Sequence, residues 1–139
     1  RHYGSLVPQV DSSGNDRAGV FAPEVQVPVG SFLGWNLRRE PAGAPEGLAR
    51  LYGSLIPFAP SAEARRASGD QRPSLAERYS SKDDYLGRVN AAVQAQVRDR
   101  LLLVADVPAV VARASGLYDR VRALPAGESS CRYQRAPGS

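Results

Sequence analysis

A serine hydrolase needs a hydroxyl on a strained elbow, commonly Gly-x-Ser-x-Gly, an imidazole to take its proton, and a carboxylate to orient that imidazole. The chain offers two near matches. Gly30-Ser31-Phe32-Leu33-Gly34 places its serine one position early, and Gly127-Glu128-Ser129-Ser130-Cys131 ends in cysteine. The only imidazole is His2, beside the first residue, where nothing in the sequence holds a base rigid. A solvated His2 is the simpler reading, and no catalytic residue is assigned. Asp70 and the pair Asp83-Asp84 have no His or Cys beside them, so they fit capping or ion-pair roles better than metal ligation. A phosphate loop requires a lysine after its second glycine, and Lys82, the sole lysine, stands in no such loop. Neither a metal nor a cofactor is expected.

Two other constellations carry chemistry of a weaker kind. In Gly34-Trp35-Asn36-Leu37-Arg38, which holds the only tryptophan, Trp35 could wall a cleft or a docking surface while Asn36 and Arg38 offer donors. The plainer reading is that Trp35 fills an apolar gap and Asn36 makes a local turn bond, since a large ring most often serves packing. The second group is Arg65, Arg66, Asp70, Arg72, Glu77, Arg78 and Tyr79. It can be read as an anion-binding arginine cluster. Because acids are equally at hand, ion pairs in which Asp70, Arg72 and Arg78 tie a loop to a helix start are the preferred reading.

The elements that must position these groups fall into two kinds. Eleven prolines and thirteen glycines in 139 residues impose many breaks, which crowd the first half. Val20-Phe21 and the run Val25 to Val29 favour short strands, with a hairpin around Ser13-Gly14-Asn15. Pro8, Pro23 and Pro28 keep any such strand at a sheet edge. From residue 61 the pattern becomes helical. Ser61 and Gly69 bracket a short helix. Ser74-Leu75-Ala76-Glu77 reads as a capping box. A long helix follows from Ser81 to about Leu103, with Tyr85, Val89, Val93, Val97 and Leu101 on one stripe. Asp106 is expected to cap a second long helix, running to Leu124 and packing antiparallel on the first. The expected organisation is a loop-rich docking segment over 1–60, a helical region over 61–124, and a flexible tail over 125–139. The fold class is mainly α with a weakly β first third.

The charge of +4 lies in the helical part, where arginines alternate with acids rather than forming a one-signed stripe, so no nucleic-acid partner is expected. The lone Cys131 excludes an internal disulfide. No apolar run is long enough for a membrane span. The chain opens without an initiator methionine or a leader, which reads as a fragment or processed piece.

In order and spacing, Leu6-Val7-Pro8-Gln9-Val10-Asp11, Pro23-Glu24-Val25-Gln26-Val27-Pro28, Gly34-Trp35-Asn36-Leu37-Arg38, Gly53-Ser54-Leu55-Ile56-Pro57-Phe58-Ala59, Arg72-Pro73-Ser74-Leu75 and Glu77-Arg78-Tyr79 form a signature. Over about residues 5–120 the chain resembles the C-terminal part of a bacterial family of α/β-hydrolase domain proteins. The resemblance implies an esterase-like parent with its serine nucleophile and histidine base upstream of Arg1. This chain would then be a non-catalytic piece whose partner is the upstream hydrolase core. It also suggests, by family analogy, a periplasmic or secreted setting. The alternative is a stand-alone helical protein-interaction module without enzymatic activity.

Overall fold

The computed structural model describes residues 9–37, 48–49 and 53–124. In chain order its elements are helix α1 (Pro23–Gln26), strands β1 (Gly30–Leu33), β2 (Asn36–Leu37), β3 (Leu48–Ala49) and β4 (Ser54–Pro57), and helices α2 (Ala62–Ser68), α3 (Leu75–Arg78), α4 (Lys82–Arg98) and α5 (Val107–Arg122). A 3-10 turn, Val104–Asp106, leads into α5. The described residues are mainly helical after residue 61 and loop-rich with short strands before it. His2, Arg38 and the 125–139 tail lie outside the described residues.

Local chemistry explains most of the helix boundaries. The Ser61 hydroxyl accepts from the Ala64 amide and starts α2. Gly69, at φ 70°, ends it, with the Gly69 and Asp70 amides closing on Arg66 and Arg65 carbonyls. Ser74 and Glu77 form the reciprocal capping box of α3. Ser81 caps α4, with Asp83 and Asp84 in the first turn, where the dipole favours carboxylates. At its other end Arg100 adopts φ 61°, and the Arg100 and Leu101 amides donate to Val97 and Gln96 carbonyls. This is the geometry usually given to glycine at a helix end.

That stop shortens α4 relative to the sequence expectation. Leu101 lies beyond the helix and is exposed. The buried stripe is Tyr85, Val89, Val93 and Gln96, not Val97, because a 3.6-residue period drifts away from a strict spacing of four. Asp106 was expected to cap α5, but it sits in helical geometry and makes no side-chain cap bond. The preceding 3-10 turn provides the entry instead. The expected strand over 25–29 is also replaced. Pro23 stands in the first turn of α1, where its fixed φ suits a helix, and the Gln26 amide side chain donates to the Phe21 carbonyl.

The core lies between α4 and α5. Tyr85 stacks on Tyr118 at 4.9 Å between ring centroids, and Tyr79 meets Tyr85 edge-on at 5.1 Å. Val89, Val93, Val110, Ala114, Leu117 and Val121 complete it, with Val29 and Leu75 packed against them. Lys82 at the start of α4 pairs with Asp119 near the end of α5 at 2.6 Å. The Tyr79 hydroxyl donates to the Pro28 carbonyl at 2.8 Å, which ties the first part of the chain to this core.

The strands are minimal. β1 and β4 form one antiparallel pair, with Ser31 opposite Ile56 and Phe32 opposite Leu55. β2 and β3 form another, of two residues each. Gly53 faces the Leu33 carbonyl so closely that a Cβ would lie 2.5 Å from its oxygen.

Candidate functional site

A two-stranded ribbon leaves backbone groups unpaired along both edges. Here a side chain fills the outer edge of β1. Asp11 organises a tight turn, its carboxylate accepting from the Ser13 and Asn15 amides at 2.8 and 3.0 Å. The turn passes through Gly14 at φ 76°, where a Cβ would come within 2.8 Å of Ser31 Oγ. It delivers Asn15, which is almost fully buried, to the outer edge of β1. Asn15 Oδ1 accepts from the Phe32 amide at 2.7 Å, and its Nδ2 donates to the Gly30 carbonyl at 3.2 Å. One side-chain amide thus replaces the peptide group of a missing neighbouring strand.

Arg72 ties β4 to the loop that follows α2. Its Nη1 donates to the Ile56 carbonyl at 3.0 Å and its Nη2 to the Pro57 carbonyl at 3.2 Å. Nη1 also donates to Ser31 Oγ at 2.8 Å. Nε and Nη2 grip the Asp70 carboxylate at 2.9 and 2.6 Å. These bonds account for all five guanidinium donors. The Arg72 hydrogen bonds, above all, hold the Asp70 carboxyl below the usual aspartate range.

The same contacts define what Ser31 can do. Its hydroxyl donates to the Ser13 carbonyl and accepts from Arg72, so both its proton and a lone pair are engaged. The side chain is buried, and no imidazole stands near it among the described residues. Among the described residues it has no base of the kind that a nucleophilic serine requires. Ser74 is paired with an acid, its hydroxyl 2.6 Å from Glu77 Oε2. That acid is a poor base. The Ser74 hydroxyl, the Ser74 amide and Arg65 together push the Glu77 carboxyl down to about 2.

The residues singled out in sequence are distributed as follows. Asp70 and Arg72 meet in the clamp just described. Arg65 pairs with Glu77 through two bonds, at 3.0 and 3.2 Å. Arg78 stands apart, its guanidinium 4.0 Å over the Phe58 ring and its Nε donating to the Pro73 carbonyl at 3.1 Å. No carboxylate of the described residues pairs with it. Trp35 is 49% exposed, so its ring does not plug an apolar gap in this chain. Its carbonyl accepts from Ser54 Oγ at 2.9 Å. Asn36 lies in β2 and is partly buried. Sequence reasoning missed Ser13, Asn15 and Ser31 as one unit with Arg72. The only local signal was the turn chemistry of Asp11 to Asn15.

Among the described residues no three His, Cys, Asp or Glu side chains cluster as a metal site would require. None of the described helices is long and apolar enough to cross a membrane.

A family model for the alpha/beta hydrolase domain matches residues 2–112, and the chain belongs to that family. No curated protein and no solved structure matches it.

Proposed function

We propose that this member of the alpha/beta hydrolase domain family supplies a supporting, non-catalytic part of an esterase-like hydrolase. The nucleophile and base then lie upstream of Arg1 in the full protein, and carboxylic esters are the substrate class. The observation that carries this reading is the state of the serines. Ser31 is locked between Ser13 and Arg72, Ser74 is absorbed in a helix cap, and the entire sequence has one imidazole, His2. The C-terminal position within the parent rests on the signature residues alone.

In this reading the loop-rich first sixty residues dock on the hydrolase core, with Trp35, Asn36 and Arg38 at the contact. Two facts support it. Trp35 keeps half its surface exposed. The outer edge of β1 is filled by Asn15, so docking there by side chains is favoured over extension of the sheet. The test is hydrolysis of p-nitrophenyl acetate and labelling by a serine-reactive fluorophosphonate. The 139-residue chain is expected to do neither, and the chain joined to its upstream sequence is expected to do both. Turnover by the chain alone would overturn the proposal.

A second reading, a helical protein-interaction module, draws on Leu101, Leu103 and Val104, which expose apolar surface where α4 turns toward α5. It predicts a soluble partner complex in which catalysis is absent with or without upstream sequence.

A further inference from the structure

A cavity of about 400 Å³ lies between α3 and the last turn of α5, within the size range of small-molecule pockets. Its apolar lining is Pro60, Leu75, Ala76, Tyr79 and Tyr118. The core holds three of these in place. Tyr118 stacks on Tyr85, Tyr79 meets Tyr85 edge-on, and Leu75 belongs to the same buried cluster. A ligand that enters therefore meets side chains already ordered by folding, so little further ordering opposes binding.

The polar residues of the lining differ in what they have left to offer. Ser61 Oγ accepts from the Ala64 amide, and Ser80 Oγ donates to Asp84 Oδ2. The Tyr79 hydroxyl is committed to the Pro28 carbonyl. Arg122 is different. It is exposed, and it takes part in no ion pair among the described residues. Asp119, the acid nearest to it along α5, is held by Lys82 at 2.6 Å. Arg122 follows Tyr118 by four positions, so both stand on one face of α5, and both line the cavity. No carboxylate lines it. An apolar, aromatic lining thus meets one unpaired cation.

We propose that this cavity binds a small carboxylate with an aromatic body, its ring against Leu75, Tyr79 and Tyr118 and its oxygens accepting from the Arg122 guanidinium. Aromatic rings gain from edge-to-face and offset contacts with tyrosine that a linear hydrocarbon chain does not make. The planar guanidinium fork matches the two oxygens of a carboxylate. The site needs no nucleophile, so it does not rest on the hydrolase reading.

The test is an NMR titration of the whole chain with sodium phenylbutyrate, with phenylbutanol (the same body without the charge) and with sodium octanoate, at constant ionic strength. Phenylbutyrate is expected to shift the Leu75 and Ala76 methyl resonances saturably and to bind more tightly than either of the others. Arg122→Gln is expected to weaken phenylbutyrate about tenfold, to leave phenylbutanol unchanged and to keep the same Tm. Ala76→Phe, at an exposed position, is expected to fill the cavity and block both. Three results overturn the proposal: no saturable shift at Leu75 and Ala76; phenylbutanol or octanoate binding as tightly as phenylbutyrate; or Arg122→Gln binding phenylbutyrate unchanged.

Discussion

The α4–α5 core and the β1–β4 ribbon are held by different physics. Between the helices, Tyr85, Val89, Val93, Ala114 and Val121 are almost wholly buried, and three tyrosine rings contact one another. Stability there is spread over many dispersion contacts and much apolar area. The ribbon buries few large side chains, and it is held by hydrogen bonds from two residues, Asn15 on the outer edge of β1 and Arg72 on the Ile56 and Pro57 carbonyls of β4. A region built by burial degrades gradually as side chains are trimmed. A region built on a few convergent hydrogen bonds fails where one donor set is removed. The contrast fits the proposal made above that the first part also docks on an upstream core.

The largest expected effect lies in the helical core. Tyr85 is fully buried and stacks on Tyr118. Tyr85→Ala is expected to cost about 3–5 kcal/mol, the range for deleting a buried aromatic ring. The loss should appear as a lower urea midpoint for the entire chain. If instead only residues 9–37 lost amide protection, the helices would not be the stabilising unit.

Arg72→Ala comes next. It removes the guanidinium donors from the Asp70 carboxylate, the Ile56 and Pro57 carbonyls and Ser31, leaving Asp70 only the residue-72 backbone amide of that set. A cost of about 2–3 kcal/mol is expected from stranding partly buried acceptors. Arg72→Lys should recover little of it, because an ammonium cannot reach four acceptors in one plane. Hydrogen exchange separates this from the Tyr85 case, since protection should fall at 29–33 and 54–58 and persist in α4 and α5. Uniform loss over both regions would erase the distinction between them.

Acid and alkali act at different places, the α2–α3 junction and the tyrosine cluster of the core. Glu77 drops from 4.5 to about 2 in the fold, so its contribution is fully present above about pH 4.5 and fades as pH falls toward 2. Tyr79 rises from 10.0 to about 12 through burial, so its neutral form is favoured in the fold. That contribution is complete below pH 10 and is lost as pH climbs from 10 to 12. Tyr85 is shifted in the same direction by burial. Acid should therefore loosen the α2–α3 junction first, and alkali the tyrosine cluster. Thermal melts of Glu77→Gln and Tyr79→Phe check this: the first should flatten the acid limb only, the second the alkaline limb only.

Sequence and structure agree where the determinants are local. Ser61, Gly69, Ser74, Glu77 and Ser81 act within a turn of their own positions, and each is found in its expected cap. The helical stripe was legible up to Val93 and failed at Val97, where the true period parts from a spacing of four. The clamp was not legible as a unit. Arg72 and Ser31 are 41 positions apart, and no pattern near either predicts their contact. Asn15 looked like an ordinary turn residue because its edge-filling role exists only once β1 is placed beside it. Arg100 in left-handed geometry gave no signal either, since glycine is what such a position normally advertises.

The smallest effect is expected at Trp35, and it bears most directly on the proposed docking. With half its surface exposed and, among the described residues, its backbone carbonyl alone engaged, by Ser54, the ring is expected to contribute little to the isolated chain. Trp35→Ala should change the urea midpoint by the equivalent of at most about 0.5 kcal/mol. In the full-length hydrolase the ring is proposed to sit against the core, and a buried interface tryptophan typically costs about 2 kcal/mol or more when truncated. The measurement is therefore a difference between two melts, one of the chain alone and one of the full protein. A large loss only in the full protein places the docking surface at Trp35. Equal and small losses in both would mean that the ribbon leans on its core through some other face, and the asymmetry between the two regions would then need another cause.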